Sequence, residues 1–528
     1  MTALAGTDAL VRLALLRDRL LAPVAVVVIA GTVLGTASAI AELYPTASAR
    51  EHFGTSVSAN PAILALTGPV FDLGSVGGLT AWRTSGIAAL LGGLASGLLV
   101  VRHTRAEEEA GRLELVGAAA VGRQAPLAAA LLVALGFNGV VTVVLTLGLV
   151  SQGLPGAGSA TLGLAVAGAG CVFATLAAVA AQFAHGGRAA NGIVGGLLGL
   201  AFFLRAAGDS SGPAWLSWLS PVGWTQQARP FAGERPWVLG LLAAAALALA
   251  ALAHALTARR DLGEGLLPER PGPTRGGARL RTPLALAWRL QRGLLAGWAL
   301  GFLALGAAVG AVASGVGDIF DSTPQLRDLL PGGEREIVDA YLALTMGSFG
   351  LMAAVEGVQA AMRLRGEEAA GRAEPVLATA VGRASWALGH VALAAAGPAA
   401  LLATGGLVAA LVHGARTGDV AGEAPRVLAA ALVQLPAAWV LAGLAVGLWG
   451  IAPRLAPASW AALVAVLLLG QLGPLLGLDQ RVLDLSPFAH VPALPGADVT
   501  LAPLAALTAL AAGLTAIGLA GLRRRDVG

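Results

Sequence analysis

Twelve apolar runs, separated by short polar or charged stretches, constrain this chain more than any other feature. They lie near 20–41, 84–101, 126–150, 160–184, 191–207 and 237–257, then near 293–316, 341–361, 387–413, 426–450, 458–478 and 501–521. A helix needs about 20 apolar residues to cross the hydrocarbon core of a bilayer. The 191–207 run is the weakest, being short and carrying Arg205. Of 528 residues, 56% are hydrophobic and only 12% charged, where a soluble globule carries about 25% charge. Folded in water, such a chain would expose apolar patches that monomers do not tolerate. The expected fold class is an all-α membrane protein of about twelve transmembrane helices.

All 34 basic side chains are arginine; no lysine occurs. A phosphate-cradling P-loop, GxxxxGK[ST], is thereby excluded, because its lysine has no substitute here. The chain is not expected to be an enzyme, to hydrolyse ATP itself, or to hold a metal or cofactor. Its arginines are scattered instead of forming one dense tract, which argues against nucleic acid and for membrane topology. With the N-terminus inside, cytoplasmic segments hold about 24 arginines and outside segments about 10, so both termini are expected in the cytoplasm. The richest inside stretch, 258–292, carries Arg259, Arg260, Arg270, Arg275, Arg279, Arg281, Arg289 and Arg292. With Pro268, Pro271 and Pro273, its first part is expected to be extended or disordered. No small-residue cleavage site shortens the first run, which is expected to remain as a span. The one cysteine, Cys171, lies in an apolar run and reads as a packing residue.

An internal repeat organises the chain. Residues 105–123 read RAEEEAGRLELVGAAAVGR, and residues 365–383 read RGEEAAGRAEPVLATAVGR. Without a gap, the shared residues are Arg105/Arg365, Glu107/Glu367, Glu108/Glu368, Gly111/Gly371, Arg112/Arg372, Glu114/Glu374, Val121/Val381, Gly122/Gly382 and Arg123/Arg383. Leu-Ser-Pro recurs at 219–221 and 485–487, and Arg19-Leu-Leu-Ala is echoed by Arg292-Gly-Leu-Leu-Ala. The chain therefore divides into a first half, 1–257, a cytoplasmic linker, 258–278, and a second half, 279–528. Each half has six runs and inserts in the same orientation, so a pseudo-two-fold axis along the membrane normal is expected. Thr7–Arg19 and Arg279–Arg292 mix arginine with Leu, Ala and Trp288, and each reads as an amphipathic interfacial helix or as an extension of the span that follows.

The repeated segment falls between the second and third spans of each half. On a continuous helix Glu107 and Glu114 share a face, and Glu108 and Arg112 form an (i, i+4) pair. Such pairing keeps the charges ordinary, whereas acid–base catalysis needs a pocket and a perturbed carboxyl. A solvated helix that only orients the protein explains the arginines, but not the return of the same residues at the same spacing. A docking surface explains both. Two similar segments suit a cytoplasmic partner with two similar sockets, their mixed charge gives orientation, and Gly111, Gly122 and their counterparts allow a sharp bend or close approach.

Two six-span halves, a Glu/Gly/Arg-rich loop after each second span and Leu-Ser-Pro before each sixth resemble the permease of an ABC-type exporter. More specifically the chain is similar to fused permeases of the actinobacterial polyketide-antibiotic (tetronasin-type) multidrug export family. The resemblance covers essentially the whole chain. It implies a multi-pass protein of the bacterial plasma membrane. It also implies two copies of a separate nucleotide-binding ATPase, which would hold the ATP and magnesium. The two repeated segments would be coupling helices, with Glu107, Glu108, Gly111, Arg112, Glu114, Gly122 and Arg123 in the first half. Glu367, Glu368, Gly371, Arg372, Glu374, Gly382 and Arg383 would match them in the second. This chain departs from exact duplication at Glu109/Ala369 and Leu115/Pro375, so the second segment is expected to start or bend differently. The first outside loop, 42–83, is longer than its counterpart, 317–340, and is expected to add a cap or gate.

Polar groups within spans are costly and often functional. Asn138, Gln182, Glu356 and Gln359 are candidates on that ground, and Phe202, Phe203, Met346, Phe349 and Met352 suit a hydrophobic small-molecule cargo. Glu356 could instead pair with arginine, and the apolar residues could pack a core. Two other functions compete with ATP-driven export. A proton-coupled secondary transporter of the major facilitator type also has two six-span halves, but favours a basic Gly-x-x-x-Asp-Arg loop where this chain has glutamates. A non-transporting membrane scaffold would bind the partner without flux.

Overall fold

The computed structural model describes residues 2–58, 61–113, 120–210, 213, 215–260, 264–266, 277, 280–321, 333–472 and 479–526. Among them every regular element is helical. Twelve helices are long and apolar enough to cross a membrane: Leu21–Leu43, Val76–Glu109, Ala125–Ser151, Gly156–Phe183, Gly187–Ser210, Pro236–Thr257, Pro283–Ala313, Arg335–Ala369, Arg383–Thr417, Val420–Ile451, Pro453–Gly470 and Leu501–Arg524. Each expected run falls on one of these helices, and the protein is an all-α membrane protein. The last residues of the 458–478 run lie outside the described residues. The chain divides into two compact units, Met1–Gly272 and Pro273–Gly528, with six of the twelve helices in each.

Lipid tails are as apolar as leucine, so no hydrophobic gain drives one span against another, and close packing of small side chains holds them. In unit one the second and fourth spans lie side by side. Their core joins Val100, Val101, Phe173, Ala177 and Ala178 to Val194 and Leu198 of the fifth span. The first span packs Ile29 and Val33 against Leu145 and Leu149 of the third. In unit two, helices Leu435–Ile451 and Leu501–Arg524 meet through glycine. A Cβ on Gly518 would stand 3.0 Å from the Gly447 Cα. Any side chain there forces the two backbones apart.

The two units begin differently. In unit one, helix Thr7–Arg17 is separate from the first span, and the break falls at Asp18. The Asp18 side chain is pulled inward, hydrogen-bonded to His103 Nε2 and 3.3 Å from Arg102 Nε. In unit two one unbroken helix runs from Pro283 to Asp321, so the segment before the first span continues into it. Gln291 bonds His390 Nδ1 at 3.1 Å from within that helix, so no break is needed.

The long 42–83 loop is folded. It carries helices Ala47–Ser58 and Pro61–Thr67, and Tyr44 stacks on Phe53 with centroids 4.6 Å apart. Arg50 Nε donates to the Gly74 carbonyl at 2.7 Å, and Trp82 Nε1 to the Gly68 carbonyl at 2.8 Å. Leu-Ser-Pro starts a short helix in each unit, Pro221–Gln227 and Pro487–His490. Proline at the first helical position gives up no hydrogen bond, because that N–H has no partner inside the helix. The Ser220 hydroxyl accepts from the Gly223 N–H at 3.3 Å, a side-chain cap that Ser486 does not make.

Candidate functional site

The repeated segments show why their residues recur. In unit one the second span ends at His103, Thr104 breaks it, and a single turn of helix, Arg105–Glu109, follows. Gly111 then takes φ +69°, with its N–H on the Glu108 carbonyl at 2.9 Å. In unit two Gly371 takes φ +67°, with its N–H on the Glu368 carbonyl at 3.0 Å. Left-handed backbone strains residues with a Cβ, and glycine adopts it freely.

This turn overturns the expected side-chain pairing. An unbroken helix would set Glu108 beside Arg112. The glycine turn brings Arg112 back under Glu107 instead, with Nε and Nη2 on the two carboxylate oxygens at 2.7 and 2.8 Å. Arg372 meets Glu367 in the same way at 3.0 and 3.3 Å. The shared face expected for Glu107 and Glu114 also requires an unbroken helix, which Gly111 ends. Glu114 itself lies outside the described residues. Each first glutamate has a second arginine: Arg17 lies 2.8 Å from Glu107, and Arg363 lies 2.7 Å from Glu367. Paired so closely with Glu107, the Arg112 guanidinium is held above its usual range.

The second glutamate of each segment clamps an arginine that follows the sixth span of its own unit. Arg260 Nη1 reaches Glu108 Oε2 at 2.8 Å, and its Nη2 bonds Oε1. Arg105 also pairs with Glu108. Arg525 Nη2 reaches Glu368 Oε2 at 2.8 Å, and its Nη1 bonds Oε1. Planar guanidinium matches planar carboxylate in such bidentate pairs. The closing arginines of the repeat complete the pattern. Arg123 donates to the Arg260 carbonyl, and Arg383 donates to the Arg525 carbonyl at 2.9 Å. Arg260 and Arg525 are thus held by side chain and by backbone alike.

Sequence reasoning placed Arg260 in a linker and Arg525 in a tail, and so missed both partners. The signal was present as Arg-Arg-Asp-Leu-Gly at 259–263 and Arg-Arg-Asp-Val-Gly at 524–528. Gln182, expected on a pathway, instead accepts from Arg260 Nε at 2.8 Å. Gly122 and Gly382 are not equivalent. Gly122 and Gln124 donate to the Ala5 and Ala3 carbonyls at 2.9 and 3.1 Å, and a Cβ on Gly122 would strike the Ala3 backbone. Gly382 is exposed, with open space where a Cβ would go. Pro375 lies inside a short helix, Ala373–Leu377, after the shared turn, and its counterpart Leu115 lies outside the described residues.

The glutamates are therefore occupied inside their own units. The Glu107, Glu108, Glu367 and Glu368 side chains are 13%, 8%, 7% and 7% exposed, while Arg112 and Arg372 are each 52% exposed. Glu374 and Gly371 are also exposed. Among the described residues, the outward charged face carries Arg112 and Glu109 in unit one and Arg372 and Glu374 in unit two.

The pathway candidates have different surroundings within their own units. Met346 and Phe349 are fully buried in the core of unit two, with Phe349 edge-on to Phe302 and Met352 packed beside them. Phe203 is exposed on its span, and Phe202 lies under the Arg205 guanidinium at 5.3 Å. Gln359 accepts from Trp298 Nε1 at 3.0 Å. Two buried polar groups remain. In the ungapped register of the repeat, Ser96 matches Glu356 and Asn138 matches Pro398. In unit one Asn138 Nδ2 donates to Ser96 Oγ at 2.9 Å. In unit two Glu356, 3% exposed, sits against Gly397 with Oε2 lacking a hydrogen-bond partner.

Among the described residues, twelve apolar helices and a charged segment clamped in the same way in each unit define a polytopic membrane protein with a repeated charged element. A family profile described as "Multidrug efflux system permease Rv1217c, C-terminal domain" matches residues 73–258 and 280–523, and the chain belongs to that family. Each matched stretch contains one of the charged segments. The chain is 43% identical over 525 residues to the "Multidrug efflux system permease protein Rv1217c" of Mycobacterium tuberculosis (strain ATCC 25618 / H37Rv), covering 99% of this chain and 95% of that protein.

Proposed function

We propose that this chain is the membrane permease of an ATP-driven exporter of hydrophobic compounds, antibiotics among them. In this reading two copies of a separate nucleotide-binding ATPase supply the ATP and magnesium chemistry. Membership of the efflux-permease family supports the permease role. The absence of any lysine supports placing the ATPase on another chain, since a P-loop cannot be built here. The observation that carries the proposal is the duplicated clamp. A partner that grips Arg112 or Arg372 grips a rigid turn tied to two spans at once. The turn continues the second span of its unit, and the Glu108–Arg260 or Glu368–Arg525 pair binds it to the end of the sixth. Closure of the ATPase pair on nucleotide would move those spans together and drive the two halves between inward- and outward-facing states.

The charged segments and both chain ends lie on the cytoplasmic side in this reading. The N-terminal residues bond directly to the first segment, and Arg525, close to the C-terminus, bonds to the second. Glu109 is exposed on the first segment where the second has Ala369, so the two ATPase contacts are not identical.

Buried Glu356 is the one observation that favours a proton-coupled secondary transporter instead. Flux in vesicles separates the two readings. We expect export of a lipophilic rhodamine dye to stop when ATP is withheld and to continue when an ionophore collapses the proton gradient. Export that fails with the gradient while ATP remains would contradict the proposal.

A further inference from the structure

We propose that the Pro61–Thr67 helix and its following turn form an outer gate, and that Arg205 is the positioning residue that latches it. The inference rests on the export reading, because a gate serves a passage. The segment precedes the second span, so it caps the end of unit one opposite the charged segment. A helix of this length leaves its last carbonyls without partners of its own. Here side chains from other elements take them. Arg205, fully buried in the fifth span, donates through Nη1 to the Ala65 and Leu66 carbonyls at 3.0 and 2.9 Å, and through Nη2 to Leu66 at 2.8 Å. Gln226 donates to the Thr67 carbonyl, and Trp82 to Gly68. Gly86 makes room, since a Cβ there would lie 3.3 Å from Arg205 Nη2.

The latch leaves two buried atoms facing each other without a hydrogen bond. Arg205 Nε and Asp209 Oδ2 are 3.4 Å apart, and neither has a hydrogen-bond partner. The other Asp209 oxygen is held by Ser217 Oγ at 2.6 Å. The guanidinium thus has two sets of acceptors within reach. On the carbonyls of 65 and 66 it holds the helix down. Turned onto Asp209 it keeps a paired charge and releases the helix. Buried cations persist only where paired, and Arg205 is already ion-paired with Asp209, so letting go of the carbonyls does not strand the charge. The gate closes on the first set and opens on the second.

The test uses the full exporter in vesicles, with Cys171→Ala and the pair Thr67→Cys and Gln226→Cys, bridged by a short thiol-cleavable crosslinker. ATP-dependent export of a lipophilic rhodamine dye is measured before bridging, after bridging and after reduction. We expect bridging to lower export roughly tenfold or more, as for other conformational gates, and reduction to restore it. Asp209→Asn keeps the Ser217 hydrogen bond but withdraws the second acceptor charge. It should slow export without crosslinker, while Arg205→Lys should retain part of it. Full-rate export from the bridged protein would overturn the gate and leave the export reading standing. No ATP-dependent export before bridging would overturn the export reading, and the gate with it.

Discussion

The two clamps use the same chemistry at different depths. In unit one, Glu108 holds Arg260 with both side chains under 10% exposed, and Arg105 at 1% exposure shares the same carboxylate. Arg260 is also bonded to Gln182 and to the Glu264 carbonyl, so the chain is fixed before and after it. In unit two, Arg525 is 17% exposed, stacks on Trp449 with its guanidinium 5.1 Å from the ring, and lies near the end of the chain. Glu368 there takes the Trp449 N–H at 2.7 Å in place of a second cation. A repeated motif has thus kept its geometry while its surroundings changed. The first clamp is a buried triad, and the second is a single, more exposed pair beside Trp449.

Removing Glu108 should have the largest effect on this contrast. Glu108→Ala strands Arg105 and Arg260 in a buried site and should cost about 3 kcal/mol, read as a fall in melting temperature of the detergent-solubilised protein. Glu368→Ala should cost less, about 1–2 kcal/mol, because Arg525 can swing to solvent. Equal losses would show that depth does not separate the clamps. Arg260→Lys should lose about 1 kcal/mol, since a point charge cannot make the bidentate pair, and Arg525→Lys should lose less by the same assay. Smallest of all on stability should be Arg112→Ala with Arg372→Ala. Both side chains are half-exposed, and exposed ion pairs contribute little. Their effect should appear only in partner binding, which would separate the outward face from the clamps behind it.

Much of this architecture was legible in the sequence because lipid imposes a simple rule. Twelve runs of the required length stand out, and the repeated charged segment stands out against them. The pairing within that segment was not legible. An (i, i+4) reading of Glu108 and Arg112 assumes that the helix continues, and Gly111 ends it. The partners Arg260 and Arg525 lie at the far ends of their units, where proximity depends on how the second and sixth spans pack. The Arg-Arg-Asp repeat recorded this, but it stood in segments read as linker and tail. The length of the 42–83 loop signalled added structure, and the loop carries two helices. The latch did not follow from sequence, because a lone arginine in a weak span reads only as a flaw in the span. The pathway residues were the least legible. Phe203 at an exposed face and Phe349 in a packed core have the same composition signal and opposite surroundings.

The central claim is that each charged segment is a docking point for an ATPase, held rigid by its clamp. Native mass spectrometry of the protein purified from mildly solubilised membranes tests it most directly. The account predicts two P-loop ATPase subunits per chain, reduced to one by Arg112→Ala or Arg372→Ala alone and lost in the double variant, with the melting temperature nearly unchanged. A permease that carries no ATPase, or that keeps both copies in the double variant, would contradict it.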